Sequence, residues 1–347
     1  MIIVTKKGVT QEQLDHIRER VEAVGLRTHV SRGEERTVIG CIGDEERLRG
    51  VPLLSIPGVE TVHAVLRPYK LASREFVAQS TRVPLGSAGL GGDELIVIAG
   101  PCSVEGVDML RQTAEHVRSL GGKALRGGAF KPRTSPYSFR GLGEEGLEIL
   151  ARIRKETGLP VVTEVMDTRQ VELVASYADV LQVGARNMQN FALLTEVGRL
   201  RRPVLLKRGM SATVKDLLLA AEYVMTQGNP NVILCERGIR TFETATRNTF
   251  DLASIPILKE ETHLPVIADP SHAGGRRSLV APLSYAAVAA GVDGLLVEVH
   301  PDPERATSDG EQSLDFSEFS ALMGGLHPFV EAVGRTMASP EPESGTA

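Results

Sequence analysis

Between Glu94 and Val299 the chain alternates eight short apolar runs with longer amphipathic stretches. The runs are ELIVIAG, KALRGGAF, PVVTEVMD, DVLQVGARN, PVLLKRGM, NVILCERG, PVIADPSH and GLLVEVH, rich in aliphatic residues and punctuated by Gly or Pro. Continuous apolar runs of this length read as parallel strands buried on both faces. The stretches between them, such as GVDMLRQTAEHVRSLG and GEEGLEILARIRKETG, repeat their apolar residues at helical spacing and end on Gly. Eight β-α units in succession predict an α/β protein built on a closed (β/α)8 TIM barrel, whose active site forms at the carboxyl ends of the strands. Each run stops on a group able to do chemistry: Cys102, Arg126, Glu164, Arg186, Lys207, Arg237, His272 and Glu298.

The first 66 residues follow another rhythm. IIVTK, the amphipathic QEQLDHIRERVEAVG, RTHVS, TVIGCIG, a short helix at Glu45–Val51 and a strand near Val59–Leu66 predict β-α-β-β-α-β, a ferredoxin-like α+β domain. His16, His29 and His63 are scattered through it and read as packing or surface residues. Residues 67–93, Gly- and Ser-rich near their end, read as a linker, so that a cut near Leu90 should free the barrel. The barrel is expected over 94–337, closing with a helix at about Ser317–Met337, and 338–347 (ASPEPESGTA) as a disordered tail.

Composition narrows the function. A chain of 347 residues with 42% hydrophobic content can bury a large core and exceeds a bare barrel of about 250 residues. The net charge of -5 argues against a nucleic-acid partner. No apolar stretch is long enough to span a bilayer, the start MIIVTKKGVT lacks a signal-peptide core, and three cysteines make no disulfide framework, so a cytoplasmic protein is expected.

Barrel closure makes the first, seventh and eighth strands neighbours. Cys102, His272 and Glu298 from these strands, with Asp309 from the loop after the eighth, are therefore expected to converge as a mixed thiolate, imidazole and carboxylate set for a divalent transition metal. Arg126, Lys131, Arg186, Lys207 and Arg237 are expected on the opposite side of the mouth, as a pocket for two or three anionic groups. Cys235, two residues before Arg237, reads as interior packing. No GxGxxG or Walker pattern is present, and no nucleotide is expected.

The motifs AGPCSVE, LRGGAFKPRTSPYSFRGLG, QVGARNMQN, LLKRGM, CERGIRTFE, DPSHAGG and LLVEVHPDP together resemble 3-deoxy-D-arabino-heptulosonate 7-phosphate (DAHP) synthases, specifically the short microbial type I beta branch with its ferredoxin-like extension. The resemblance covers about residues 93 to 337, with no departure at a catalytic position. It implies a transferase that condenses phosphoenolpyruvate with erythrose 4-phosphate, the first step towards chorismate. It also implies that Arg126, Lys131, Arg186, Lys207 and Arg237 hold phosphoenolpyruvate, that Arg133, Thr134 and Ser135 hold the sugar phosphate, and that Cys102, His272, Glu298 and Asp309 hold one divalent ion, Mn²⁺ foremost, with Co²⁺, Fe²⁺ or Zn²⁺ as alternatives. Lys131 is the candidate general acid and Glu164 a candidate for positioning water. A tyrosine or phenylalanine effector on the small domain and a homotetramer are further implications. The sister 3-deoxy-D-manno-octulosonate 8-phosphate synthases are the alternative, with a sugar loop that usually differs from KPRTS. A Schiff-base aldolase through Lys207 and a non-catalytic sensor are the rivals from other classes.

Overall fold

The structure, a computed structural model, describes residues 1–33, 36–48, 50–63, 68–131, 137 and 139–338. Two compact units divide the chain after Gln79.

The first unit is a four-stranded antiparallel sheet of order β2-β3-β1-β4, from β1 (Ile2–Thr5), β2 (Arg27–Arg32), β3 (Thr37–Ile42) and β4 (Val59–His63). Helix α1 (Gln11–Glu22) starts at a capping box between Thr10 and Gln13 and buries Leu14, Ile17 and Val21, one stripe at helical spacing, in the core that holds Ile3, Ile39 and Cys41. The helix expected at Glu45–Val51 is shortened to a 3-10 turn, Glu45–Leu48, and a second turn follows at Leu53–Ser55. Pro52 bars Val51 from continuing a helix, because the residue before a proline is pushed out of helical conformation. The last expected strand is described as far as His63, and its residues 64–66 lie outside the described set.

The stretch expected to be a linker is structured wherever it is described. Tyr69, Leu71, Ala72 and Phe76 are buried, and the Phe76 ring sits 5.3 Å from that of His29. Strands β5 (Val83–Leu85) and β6 (Ala88–Leu90) then form a hairpin about Gly86, whose φ of 59° favours glycine. Val83, Leu85 and Leu90 belong to the barrel core, together with Ile96, Ala124, Val180 and Ile233. The alternation of apolar residues in VPLGSAGL was the missed signal. A cut at Leu90 would therefore strip residues from the barrel core, and the contact boundary lies at Gln79 instead.

Eight parallel strands close the barrel: β7 (Ile96–Gly100), β8 (Ala124–Arg126), β9 (Val161–Glu164), β10 (Val180–Val183), β11 (Val204–Lys207), β12 (Val232–Glu236), β13 (Val266–Ala268) and β14 (Gly294–Glu298). β14 pairs with β7, which brings the first, seventh and eighth barrel strands side by side. The crossovers carry α2 (Val107–Ser119), α3 (Glu144–Thr157), α4 (Val171–Tyr177), α5 (Phe191–Arg199), α6 (Val214–Met225), α7 (Ser254–Glu261), the short α8 (Pro270–Gly274), α9 (Arg277–Ala289) and α10 (Phe316–Ala332). Helix α10 stops before the expected Met337, two residues ahead of Gly334 with its φ of 71°. Among the described residues no helix is long and apolar enough to cross a membrane.

Candidate active site

Strand parity builds the site. Ala124, Val162, Val180, Leu205, Cys235, Ile267 and Leu296 share one apolar core inside the barrel. Two residues further along, each side chain returns to the same face, which gives Arg126, Glu164, Gln182, Lys207, Arg237, Asp269 and Glu298. All seven are buried at the carboxyl end of the barrel. Cys235 lies one layer below them, fully buried, as expected of a packing residue.

Cys102, Glu298 and Asp309 bring their donor atoms within 4.8 Å of one another. Donors that bind one ion at roughly 2.0–2.3 Å lie at most about twice that far apart, so the three fit a shared cation. His272 borders the group, with Nε2 3.6 Å from Glu298 Oε1 and 3.9 Å from Asp309 Oδ2. It does not end a strand as expected: it sits one turn into α8, which Asp269 caps by accepting the His272 backbone N–H at 2.9 Å, with Pro270 at the first turn. Asp309 opens a 3-10 turn in left-handed conformation, φ 50° and ψ 32°, which a short acidic side chain tolerates better than most.

Burial pushes the Cys102 thiol up to about 11, reinforced by Glu298 and opposed by Lys131, and it donates to Asp309 Oδ2 at 3.2 Å. A thiol held so high keeps its proton near neutrality, and a divalent cation among these donors would displace it. Burial alone would raise the Asp309 carboxyl, but the charges of His272 and Arg247 outweigh it and bring it to about 2. Burial likewise opposes ionisation of Glu298, and His272 and Arg126 outweigh it to hold the group below its ordinary value.

The cationic residues do not line the far side of the mouth as a block. Arg126 Nη1 donates to Glu298 Oε1 at 2.7 Å and to the Pro101 carbonyl at 3.0 Å, and Lys131 Nζ lies 2.8 Å from Cys102 Sγ. Both therefore border the metal-type donors, because β8 is the direct neighbour of β7. Lys207 forms a buried ion pair with Asp269. Arg237 is 5% exposed and, like Arg126, keeps a buried Nε donor without a hydrogen-bond partner among the described residues. Such donors cost about 1–3 kcal/mol unless an acceptor meets them, which favours an anion here. Arg186 departs from the buried cluster: the inward slot of β10 belongs to Gln182, and Arg186, in a 3-10 turn past the strand end, is exposed beside Arg240, Gln189 and Ser211 in an open pocket. Glu164 is 8% exposed and accepts from Gln182 Nε2 at 3.4 Å. Arg133, Thr134 and Ser135 lie outside the described residues.

Residues 77–328 match the model of the DAHP synthetase I family, and residues 1–67 that of the DAHP synthase ferredoxin-like domain. This chain belongs to the DAHP synthetase I family. A relative from Thermotoga maritima named phospho-2-dehydro-3-deoxyheptonate aldolase is 52% identical over 96% of this chain and 99% of its own. The crystal structure of a DAHP synthase from that organism superposes with a TM-score of 0.78 at 51% identity, covering 97% of this chain and 99% of the other. A protein of Geobacter sulfurreducens named 2-dehydro-3-deoxyphosphooctonate aldolase is 35% identical over 70% of this chain and 94% of its own.

In this DAHP synthetase I chain several mouth residues escaped sequence reasoning. Asp269 caps α8, pairs with Lys207 and lies with Oδ2 2.8 Å from His272 Nδ1, though off the line of a well-directed hydrogen bond. Burial would raise its carboxyl, but His272 and Lys207 hold it well below the usual range. Strand parity pointed to Asp269 and Gln182. Gln312, which donates to Glu298 Oε2 at 2.6 Å, and Arg247, 2.7 Å from Gln312 Oε1, come from loops and left no periodic signal. Gly184 is required for close approach, because a Cβ there would lie 2.0 Å from Glu164 Oε1.

Proposed function

We propose that the chain is a DAHP synthase, a transferase that joins phosphoenolpyruvate and erythrose 4-phosphate with water to give DAHP and phosphate. The observation that carries this reading is the convergence of Cys102, Glu298 and Asp309, bordered by His272, beside the buried cations Arg126, Lys131, Lys207 and Arg237. In this reading Arg126, Lys131, Lys207 and Arg237, with Arg186 from the rim, neutralise the carboxylate and phosphate of the enol donor, and Arg133, Thr134 and Ser135 hold the sugar phosphate. Neutralisation lets two anions approach to bonding distance. Cys102, His272, Glu298 and Asp309 would hold one divalent ion, Mn²⁺ foremost with Co²⁺, Fe²⁺ or Zn²⁺ as alternatives; when bound, it supplies Lewis-acid polarisation of the aldehyde. The enol carbon forms the new C–C bond, Lys131 delivers a proton to the former aldehyde oxygen, water adds at the phosphate-bearing carbon, and the C–O bond to phosphate then breaks. Glu164, oriented by Gln182, positions that water.

The test is consumption of phosphoenolpyruvate with four- and five-carbon sugar phosphates side by side, before and after chelation. Turnover with the four-carbon sugar, lost on chelation and restored by Mn²⁺, supports the reading. Preference for the five-carbon sugar would favour the octulosonate reaction, and borohydride trapping of substrate on Lys207 a Schiff-base aldolase. Absence of turnover would indicate a sensor. We also infer a cytoplasmic homotetramer and tyrosine or phenylalanine feedback through the N-terminal unit. A chain starting at Ser80 that stays as inhibitable as the full chain would overturn the last of these.

A further inference from the structure

Two residues of the β7–α2 loop grip two residues of the β14–α10 loop immediately ahead of Asp309. Glu105 Oε1 accepts hydrogen bonds from both the backbone N–H and the hydroxyl of Thr307, each at 2.8 Å. The hydroxyls of Ser103 and Ser308, both buried, meet at 2.5 Å. Beneath them, His300 Nδ1 accepts the Asp302 N–H at 3.0 Å, and its Nε2 lies 3.6 Å from Glu105 Oε2. Asp309 follows directly, in the left-handed conformation that a non-glycine residue keeps only where its surroundings over-determine it. Glu105 itself is not part of the donor group formed by Cys102, Glu298 and Asp309. It stands three residues after Cys102 in the same AGPCSVE motif, so one loop carries both a donor and the clasp on the segment presenting another.

We propose that Glu105 is a positioning residue that fixes residues 307–308, so that the Asp309 carboxylate meets Cys102 and Glu298, and thereby sets the affinity of the site for its divalent ion. The inference rests on the metal reading above. The clasp acts through acceptor geometry: an amide oxygen at position 105 can accept the same two hydrogen bonds, whereas a methyl group accepts none.

The test is calorimetric titration of Mn²⁺ into the chelated full-length chain, with the melting temperature of each metal-free variant measured alongside. Glu105→Ala should weaken binding by about tenfold, the low end of the range for outer partners of metal ligands. Glu105→Gln should bind within a few-fold of wild type at a similar metal-free melting temperature, which a merely structural role for the charge would not give. Ser103→Ala, which removes the second half of the clasp, should weaken binding less than Glu105→Ala. Wild-type affinity in Glu105→Ala would overturn the proposal, as would equal weakening in Glu105→Gln and Glu105→Ala. If Glu105→Ala does not fold, Ser103→Ala decides: weaker binding supports the clasp and unchanged binding refutes it. A wild-type chain that binds neither Mn²⁺ nor Co²⁺ overturns the metal reading itself, and the proposal with it.

Discussion

Replacing Arg126 by Met should expose how the mouth balances its charges. The Arg126 guanidinium and the Glu298 carboxylate are 4% and 1% exposed and 2.7 Å apart. Burial works against the guanidinium charge, and Glu298, then Cys102 and Asp269, outweigh it. Arg126→Met leaves Glu298 with the Gln312 amide but no adjacent guanidinium. Removing one partner of a buried pair costs roughly 3–5 kcal/mol, and for a barrel of this size that corresponds to a melting-point loss on the order of 10 °C. Removing both charges leaves no unpaired buried charge, so Arg126→Met with Glu298→Gln should recover most of that loss in chelated protein. Saturating Mn²⁺ should shrink the penalty of Arg126→Met alone, because a cation then faces Glu298. The assay is urea unfolding of the four chains in the cycle, chelated and metal-loaded. The reasoning is refuted if Arg126→Met costs less than about 1 kcal/mol in chelated protein, or if the double variant is no more stable than Arg126→Met.

Three further outcomes are expected. Gly184→Ala drives a methyl into the Glu164 carboxylate, a movable side-chain end, so kcat should fall at least tenfold while the melting temperature changes little; unchanged kcat would remove Glu164 from the mechanism. Burial raises the Cys41 thiol from 9.0 to about 11. Between those pH values the unfolded chain has lost a proton that the folded chain keeps, so stability falls as pH rises, by up to roughly 1.4 kcal/mol per pH unit for this one group. Cys41→Ala should flatten that slope in urea unfolding at pH 8.5 and 10.5, and an identical slope would contradict it. Cys235→Ala leaves a small void under the mouth and should cost roughly 1–2 kcal/mol, yet it should retain chelator-sensitive turnover, whereas loss of turnover at intact folding would assign Cys235 a chemical role.

What the sequence determined by itself was the periodic part. Eight apolar runs with helical spacers specify parallel strands and crossovers, because a strand buried on both faces admits almost nothing else, and closure then sets the strand ends nearest Cys102 and Glu298 side by side. Counting parity along each run would also have found Asp269 and Gln182. Tertiary structure decided the rest. Whether Arg126 faces the metal-type donors or the opposite wall depends on how a long side chain reaches across, which spacing does not encode. The hairpin at Val83–Leu90 looked like a linker because it is rich in Gly and Ser, and only the closed barrel gives its apolar residues something to bury against. Glu105, Arg247 and Gln312 act from loops, where position is fixed by one or two hydrogen bonds between residues far apart in the chain and no local pattern records them.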